Sequence, residues 1–142
     1  MFRSRIPNRT IRRLRKWSLV LLQIFLIVIL PIQALGEPTG GTVVAGNAAI
    51  ATNGSTTTIN QLSDRAVIDW QSFSIAPNEL TRFNQPSSSA AILNRVIGNN
   101  PSALLGTLTA NGQVYVINQN GILVGPNAVI NANSFVASTL NV

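Results

Sequence analysis

The sequence predicts an all-β domain behind a basic and apolar amino-terminal lead, and three observations support this fold class. After Pro38, β-branched and apolar stretches of about four to six residues alternate with turns of Asn, Gly, Pro and Ser. No stretch after Pro38 has the 3.6-residue periodicity and the end caps of a helix. The sequence contains no Cys, so we expect burial and backbone pairing to stabilise the fold without disulfide bonds.

The amino-terminal lead has the composition of a secretory signal peptide. Residues 1–16 hold seven of the ten Lys and Arg residues and no Asp or Glu. The apolar run Leu19–Leu30 follows, is interrupted only by Gln23, and ends at Pro31. A basic region followed by a short apolar core is typical of signal peptides, whereas a membrane anchor needs roughly 20 apolar residues. We therefore predict a signal peptide over residues 1–36, with a retained anchor as the alternative.

The predicted cleavage point lies between Gly36 and Glu37, because Ala34 and Gly36 place small residues where signal peptidase requires them. The exported part, residues 37–142, carries three Arg and four acidic residues, a side-chain charge of 3 − 4 = −1. The formal charge of +6 for the whole sequence therefore belongs to the lead. Since a nucleic-acid binder needs a basic patch on the folded domain, we predict no nucleic-acid partner.

The exported part is long enough for one domain, and its strands can be read in order from the breaks between them. The predicted strands are Thr42–Ala45, Ala48–Ala51, Thr56–Ile59, Ala66–Trp70, Ser72–Ile75, Leu80–Phe83, Ala90–Val96, Leu105–Thr109, Gln113–Asn118, Ile122–Val124, Ala128–Asn131 and Ser134–Ser138.

Three all-β architectures remain open at this point: a sandwich, a barrel and a β-helix. Asn is frequent, and in a parallel β-helix it suits stacked turns, since it tolerates left-handed geometry and its amide can bond the next coil. The turns Asn111-Gly112 and Asn120-Gly121, each followed by an apolar strand, fit such corners. Asn-Gly is also the usual turn of an ordinary hairpin, and no single period aligns all the Asn and Gly residues.

Several blocks, taken together in order, resemble the amino-terminal secretion domain of filamentous haemagglutinin-type exoproteins, the cargo of two-partner secretion. The resemblance covers nearly all of Pro38–Val142. Its blocks are Pro38–Gly41, Thr58–Gln61, Ala66–Ile75, Val96–Ser102, Leu105–Leu108 and Asn111–Ser138.

The resemblance implies a right-handed parallel β-helix over residues 37–142, with roughly four to five coils at the usual solenoid period. It also implies export by the Sec machinery, followed by capture of the largely unfolded chain by a cognate outer-membrane β-barrel transporter. Periplasmic polypeptide-transport-associated domains of that transporter would make the contact. The exoprotein would be secreted, or displayed at the cell surface, by way of the periplasm and the outer membrane.

Two turn motifs are the candidate recognition residues. The family signature Asn-Pro-Asn-Gly-Ile corresponds here to Asn118, Gln119, Asn120, Gly121 and Ile122, so Gln119 stands in place of proline. Because proline fixes φ, glutamine leaves this turn less preorganised. These residues either build a turn or contact the transporter, and turn building is the default role of Asn and Gly.

The second motif of the resemblance consists of Asn99, Asn100 and Pro101.

No catalytic, metal-binding or cofactor-binding residue is predicted. The interior acids Asp64, Asp69 and Glu79 do not form, with a nucleophile and a base, the constellation that catalysis requires. The sequence also lacks His, the commonest general base and metal ligand.

Two further expectations concern the whole protein. A self-contained adhesive or polysaccharide-binding β-solenoid is the alternative function, and the ligand of the full exoprotein stays open. We also expect the chain to be a fragment with a truncated β-helix, because Ser134–Val142 offers neither the turn nor the charged cap that closes a solenoid.

Overall fold

The computed structural model describes residues 36–141. The predicted signal peptide lies outside the described residues except for Gly36. Twelve strands occur in the described part of the chain, in the order β1 (Thr42–Ala45), β2 (Ala48–Asn53), β3 (Thr56–Gln61), β4 (Arg65–Trp70), β5 (Leu80–Asn84), β6 (Ala91–Val96), β7 (Ser102–Leu104), β8 (Thr107–Ala110), β9 (Gln113–Ile117), β10 (Ile122–Val124), β11 (Val129–Asn131) and β12 (Ser134–Ser138). Between residues 36 and 141 there is no helix long and apolar enough to cross a membrane.

The strands wind into a parallel β-solenoid of roughly four coils, which confirms the predicted β-helix. The β8 sheet has the strand order β11-β8-β5-β3-β2, the β9 sheet has the order β1-β4-β6-β9-β12, and β7 and β10 form a third, two-stranded sheet. A coil runs from the β8 sheet through the β9 sheet to this third sheet. From β3 and β4 onward, equivalent strands of successive coils pair in parallel.

The core lies inside the coils because alternate residues of each strand point inward. In β6 the buried and half-buried residues alternate strictly. Register then stacks equivalent side chains: Ile59 pairs with Phe83, and Ile92 pairs with Val114. Most of the buried apolar residues form one cluster, consisting of Ile59, Ala66, Ile68, Trp70, Phe73, Ile75, Phe83, Ile92, Val96, Leu104, Leu108, Val114 and Val116.

The amino-terminal end of the solenoid is antiparallel, a feature that the sequence analysis did not predict. Strands β2 and β3 form a hairpin closed by Gly54-Ser55, where Gly54 has a φ of 58°. Strand β1 lies antiparallel to β4, with a register shift between Val43 and Ala45. Because these strands occupy the first edge of each long sheet, they separate the first parallel coil from solvent.

Three strand predictions were wrong near the third sheet. Ser72–Ile75 is not a strand; it makes single bridges through Ser72 and Ile75. Phe73, Ser74 and Ile75 are all buried, so this segment lacks the alternation of a strand and turns inward at a corner. The sequence analysis also missed β7, because the preceding Asn and Pro indicated a turn, and it began β8 two residues too early.

Candidate functional site

The first predicted motif forms a compact turn between β9 and β10. The backbone oxygen of Asn118 accepts a hydrogen bond from the N–H of Gly121 at 3.1 Å, and its side-chain Oδ1 accepts one from the N–H of Asn120 at 2.9 Å. Gly121 has a φ of 115°, a left-handed value that favours glycine. Gln119 occupies the second position of the turn, the position at which proline is most favoured.

Asn118 is fully buried, with 0% of its side chain exposed, and it links three coils. Its Nδ2 donates to the backbone oxygen of Asn100 and to Oγ of Ser102, each at 2.9 Å. Its backbone N–H donates to the oxygen of Ser138 at 3.0 Å. The side chain therefore holds the turn against the preceding coil, and the backbone N–H holds it against the following coil.

The second predicted motif lies directly against the first. The Nδ2 of Asn120 donates to the backbone oxygen of Gly98 at 2.8 Å, and the N–H of Ser102 donates to the oxygen of Gly121 at 2.9 Å. Together with the Asn118–Asn100 bond, these contacts make one two-layer corner from residues 98–102 and 118–122. The structure thus brings together two motifs that the sequence analysis treated separately.

This corner borders an open groove of about 370 Å³. Of the motif residues, Asn99, Gln119 and Asn120 line the groove and are exposed. Asn100 and Pro101 are exposed but do not line it, while Ile122 is half-buried as the first residue of β10. The other lining residues are Arg95, Val96, Ile97, Gly98, Ile117 and Asn141.

An ion pair fixes one wall of the groove. Arg95 donates from Nε to Oδ1 of Asp69 at 2.8 Å and from Nη2 to Oδ2 at 2.9 Å. The two residues are paired in register on neighbouring coils. Hydrogen bonding to Asp69, followed by Coulomb attraction, raises the pKa of the Arg95 guanidinium. Asp69 thus has a structural partner, and the pair is electrically neutral.

Arg95, Ile97 and Asn141 line the groove but were not predicted from the sequence. Arg95 follows Asp69 by 26 positions, and no pattern in the sequence sets that spacing, because the coils differ in length.

Gly36, at the predicted cleavage point, is half-buried and so close to the Glu79 carboxylate that a Cβ at this position would overlap it. Within residues 36–141 no cluster of three or more acidic residues could hold a metal ion.

The aromatic residues mostly serve the core rather than the groove. Trp70, Phe73 and Phe83 are buried, and the rings of Trp70 and Phe73 meet edge to face with centroids 5.6 Å apart. The indole Nε1 of Trp70 donates to Oδ1 of the buried Asn94 at 3.0 Å. Tyr115 is half-buried on the outer face of the β9 sheet, so the described surface carries no row of aromatic rings for a carbohydrate.

Comparison with known proteins agrees with this architecture. A heme/hemopexin-binding protein from the Rd strain of Haemophilus influenzae is 42% identical over 102 residues, which cover 72% of this chain and 11% of that protein. A second Haemophilus influenzae protein of the same name is 48% identical over 82 residues, covering 58% of this chain and 9% of its own length. This chain therefore spans about a tenth of the curated relatives.

A solved structure and a family description give the same assignment. The crystal structure of the HMW1 secretion domain from Haemophilus influenzae matches with a TM-score of 0.72 and 43% identity, over 75% of this chain and 28% of that one. Residues 34–142 match the family described as the TPS secretion domain. The chain therefore belongs to the TPS secretion domain family, whose members direct the secretion of large exoproteins.

Proposed function

We propose that this secretion domain is recognised by a cognate outer-membrane β-barrel transporter through residues 98–102 and 118–122, which are captured before the coils stack and form the two-layer corner in the folded domain. The observation that carries the proposal is the union of both family motifs in this corner, with Asn99, Gln119 and Asn120 exposed beside the groove. Buried Asn118 supplies the shape, and the exposed residues supply the contact. The polypeptide-transport-associated domains of the transporter are the partner on the periplasmic side.

The first stage of the proposed route is export through the Sec machinery, with removal of residues 1–36. Mass spectrometry of the chain recovered from the periplasm tests this stage, and we expect an amino terminus at Glu37. An intact amino terminus on membrane-bound material would instead support the retained anchor.

The second stage couples transport to folding. On the outer side, each coil offers unpaired strand edges to the next, as β10, β11 and β12 do at the carboxyl-terminal end of the described solenoid. Once coils have folded along the solenoid axis outside the cell, movement of the chain back through the transporter becomes unfavourable. The free energy of folding therefore drives transport outward. The product is a secreted or surface-displayed exoprotein.

Co-expression of residues 1–142 with and without the cognate transporter tests the proposal. We expect the protein in the medium only when the transporter is present, and in the periplasm otherwise. Equal amounts in the medium without the transporter would contradict it and favour a self-contained secreted solenoid.

A pair of double variants tests the role of the corner. Asn120→Ala with Gly121→Ala alters the proposed recognition turn, whereas Asn53→Ala with Gly54→Ala alters a comparable Asn-Gly turn in the β2–β3 hairpin. Both glycines have positive φ, so both variants introduce backbone strain of the same kind. We expect export to fall more for the first variant than for the second. Equal export of the two variants would show that the corner has no role in recognition.

The names of the relatives suggest a ligand for the whole exoprotein, but we assign no heme contact to this segment. The sequence contains no His and no Cys, which are common axial ligands of heme iron in proteins. We propose that any ligand-binding or adhesive activity of the exoprotein resides outside the secretion domain.

A further inference from the structure

Asparagine precedes glycine at three places in the chain, and the three pairs differ in how firmly they are held. The pairs are Asn53-Gly54, Asn111-Gly112 and Asn120-Gly121. In such a pair the backbone nitrogen of the glycine can attack the asparagine side chain, because no Cβ on the glycine hinders the approach. The attack needs a glycine N–H without a hydrogen-bond acceptor and an asparagine amide that is free to rotate.

Both reacting groups of the Asn111 pair are held by Gln85 of the preceding coil. The N–H of Gly112 donates to Oε1 of Gln85 at 2.9 Å. The Asn111 side chain accepts from the N–H of Gln85 and donates to its backbone oxygen, each at 2.7 Å. Gly112 is also buried. Attack at this pair would first require the loss of three hydrogen bonds between coils.

The same two groups of the Asn120 pair are held within the two-layer corner. The N–H of Gly121 donates to the backbone oxygen of Asn118 at 3.1 Å. The Nδ2 of Asn120 donates to the oxygen of Gly98 at 2.8 Å and to Oδ1 of Asn118 at 3.0 Å. Asn120 is exposed, but its amide is thus fixed, and exposure alone does not make it reactive.

The Asn53 pair lies at the tip of the β2–β3 hairpin without these restraints. Among residues 36–141, neither the Asn53 side chain nor the Gly54 N–H has a hydrogen-bond partner. Asn53, Gly54 and Ser55 are all exposed, and a Cβ at Gly54 would meet nothing within 4 Å beyond its chain neighbours. Rotation at Asn53 is opposed by its pairing with Thr56, the last pair of the hairpin, and terminal pairs open at little cost.

We infer that Asn53 is a site of spontaneous deamidation in the folded domain, and that the stacked coils protect Asn111 and Asn120 from the same reaction. Hydroxide removes the proton of the Gly54 N–H, and the nitrogen attacks Cγ of Asn53. The new N–Cγ bond forms, the bond from Cγ to Nδ2 breaks, and Nδ2 takes up a proton and leaves as ammonia. Water then opens the succinimide ring at either carbonyl, which yields aspartate or isoaspartate.

The reaction alters the antiparallel end of the solenoid and leaves the parallel coils unchanged. Either product replaces the neutral amide at the end of β2 with a carboxylate, and charge on an edge strand opposes pairing with another chain. Isoaspartate also adds a methylene to the backbone at residue 53, so the pairing of this residue with Thr56 loses its register. The modification site is therefore confined to the strands that cover the first parallel coil.

Peptide mapping of folded and unfolded protein tests the inference. The full chain is incubated in mildly alkaline buffer, with and without guanidinium chloride, and mass spectrometry measures aspartate and isoaspartate at each site. A cooperative unfolding transition followed by tryptophan fluorescence establishes that the sample in buffer alone is folded. In that sample we expect Asn53 to convert at least about tenfold faster than Asn111 and Asn120, whose hydrogen bonds must break first. In guanidinium chloride all three should convert at similar rates. Equal rates at the three sites of the folded sample would overturn the inference.

Asn53→Gln is the matched control variant. It keeps an exposed side-chain amide, but attack on the longer side chain would close a six-membered ring, which forms far more slowly. Isoelectric focusing of the folded proteins measures the gain of negative charge over the same incubation. We expect the wild type to accumulate an acidic form and Asn53→Gln to keep its starting charge. Accumulation at the same rate in both proteins would place the reaction elsewhere and contradict the assignment to Asn53.

Discussion

The side-chain amide of Asn118 donates to the backbone oxygen of Asn100 at 2.9 Å, and so joins the corners of two successive coils. The same nitrogen also reaches Oγ of Ser102. Since Asn118 is fully buried, water cannot replace these bonds. The motif, which the sequence presents as a recognition signature, therefore has two roles. Its first residue joins neighbouring coils, and the two residues after it line the groove.

Asn118→Ala should destabilise the domain strongly. The substitution leaves the buried Oγ of Ser102 without its donor, and it also removes the hydrogen bonds to the oxygen of Asn100 and from the N–H of Asn120, which are more exposed. Each unsatisfied buried group costs about 1–3 kcal/mol, so we expect the free energy of unfolding to fall by about 2–4 kcal/mol. Urea titration followed by tryptophan fluorescence measures this change, since Trp70 is buried in the core.

Asn127→Ala is the matched control, because Asn127 is exposed in the turn before β11. Its unfolding free energy should stay within about 0.5 kcal/mol of the wild type, as for most surface substitutions. If Asn118→Ala behaved like this control, the buried amide would not be the element that joins the corners.

Gln85→Ala should be destabilising for a related reason at the corner between the β8 and β9 sheets. The Nε2 of Gln85 donates to Oε1 of Gln61 at 2.9 Å, and its Oε1 accepts from the N–H of Gly112 at 2.9 Å. Gln61, Gln85 and Gly112 belong to corners of three successive coils. We expect a loss of about 2–4 kcal/mol in urea unfolding, because both partners are left unpaired. Asn131→Ala, on the exposed face, should change little.

The sequence predicted the fold class and most strands because turns of Asn, Gly, Pro and Ser separate the short β-branched and apolar stretches. The strands β1, β10 and β12 were predicted with their observed bounds. The Asn111-Gly112 and Asn120-Gly121 turns are corners, as predicted for a β-helix. Asn53-Gly54 instead lies at a hairpin, where Asn53 is the last residue of β2 and Gly54 is the first residue of the loop. Local sequence does not separate these roles, since they differ only in which strand pairs next.

The repeat was not visible in the sequence because the coils differ in length. Thr56 pairs with Leu80, 24 positions later, whereas Leu80 pairs with Thr107, 27 positions later. On the next face, Ser102 pairs with Ile122, only 20 positions later. The differences lie in the turns: residues 85–90 join β5 to β6, but residues 111–112 suffice between β8 and β9. Turns that face solvent tolerate such insertions, so the groove could not be assembled from spacing alone.

Loss of the Arg95–Asp69 pair should lower the free energy of unfolding. The size of this loss should depend on the salt concentration but not on pH near neutrality. Asp69 raises the pKa of Arg95, so the folded state holds this proton more tightly than the unfolded state. The contribution is then complete below the unfolded pKa of arginine and is lost only in strongly alkaline solution.

Arg95→Met should therefore lower the urea midpoint by an amount that is constant between about pH 7 and about pH 9, and that shrinks as NaCl screens the pair. Arg65→Met is the control, because Arg65 is exposed and forms no ion pair with the other described residues. If the difference in urea midpoint between Arg95→Met and the wild type varied across this pH range, the result would contradict the assigned contribution of the Arg95–Asp69 pair.

The stacking of the site also depends on how closely one coil approaches the next at Gly98. A Cβ at Gly98 would overlap the backbone oxygen of Gln71, which cannot rotate away. We expect Gly98→Ala to cost about 1–3 kcal/mol, the usual range for overpacking, and to weaken export as well, because the oxygen of Gly98 accepts the hydrogen bond from Asn120. At Gly125 a Cβ would overlap Cδ2 of Leu105, the far end of a flexible side chain, and would meet the nearest backbone atoms at ordinary contact distance. Gly125→Ala should thus be tolerated, and equal losses of unfolding free energy for both variants would show that close backbone approach does not position the corner.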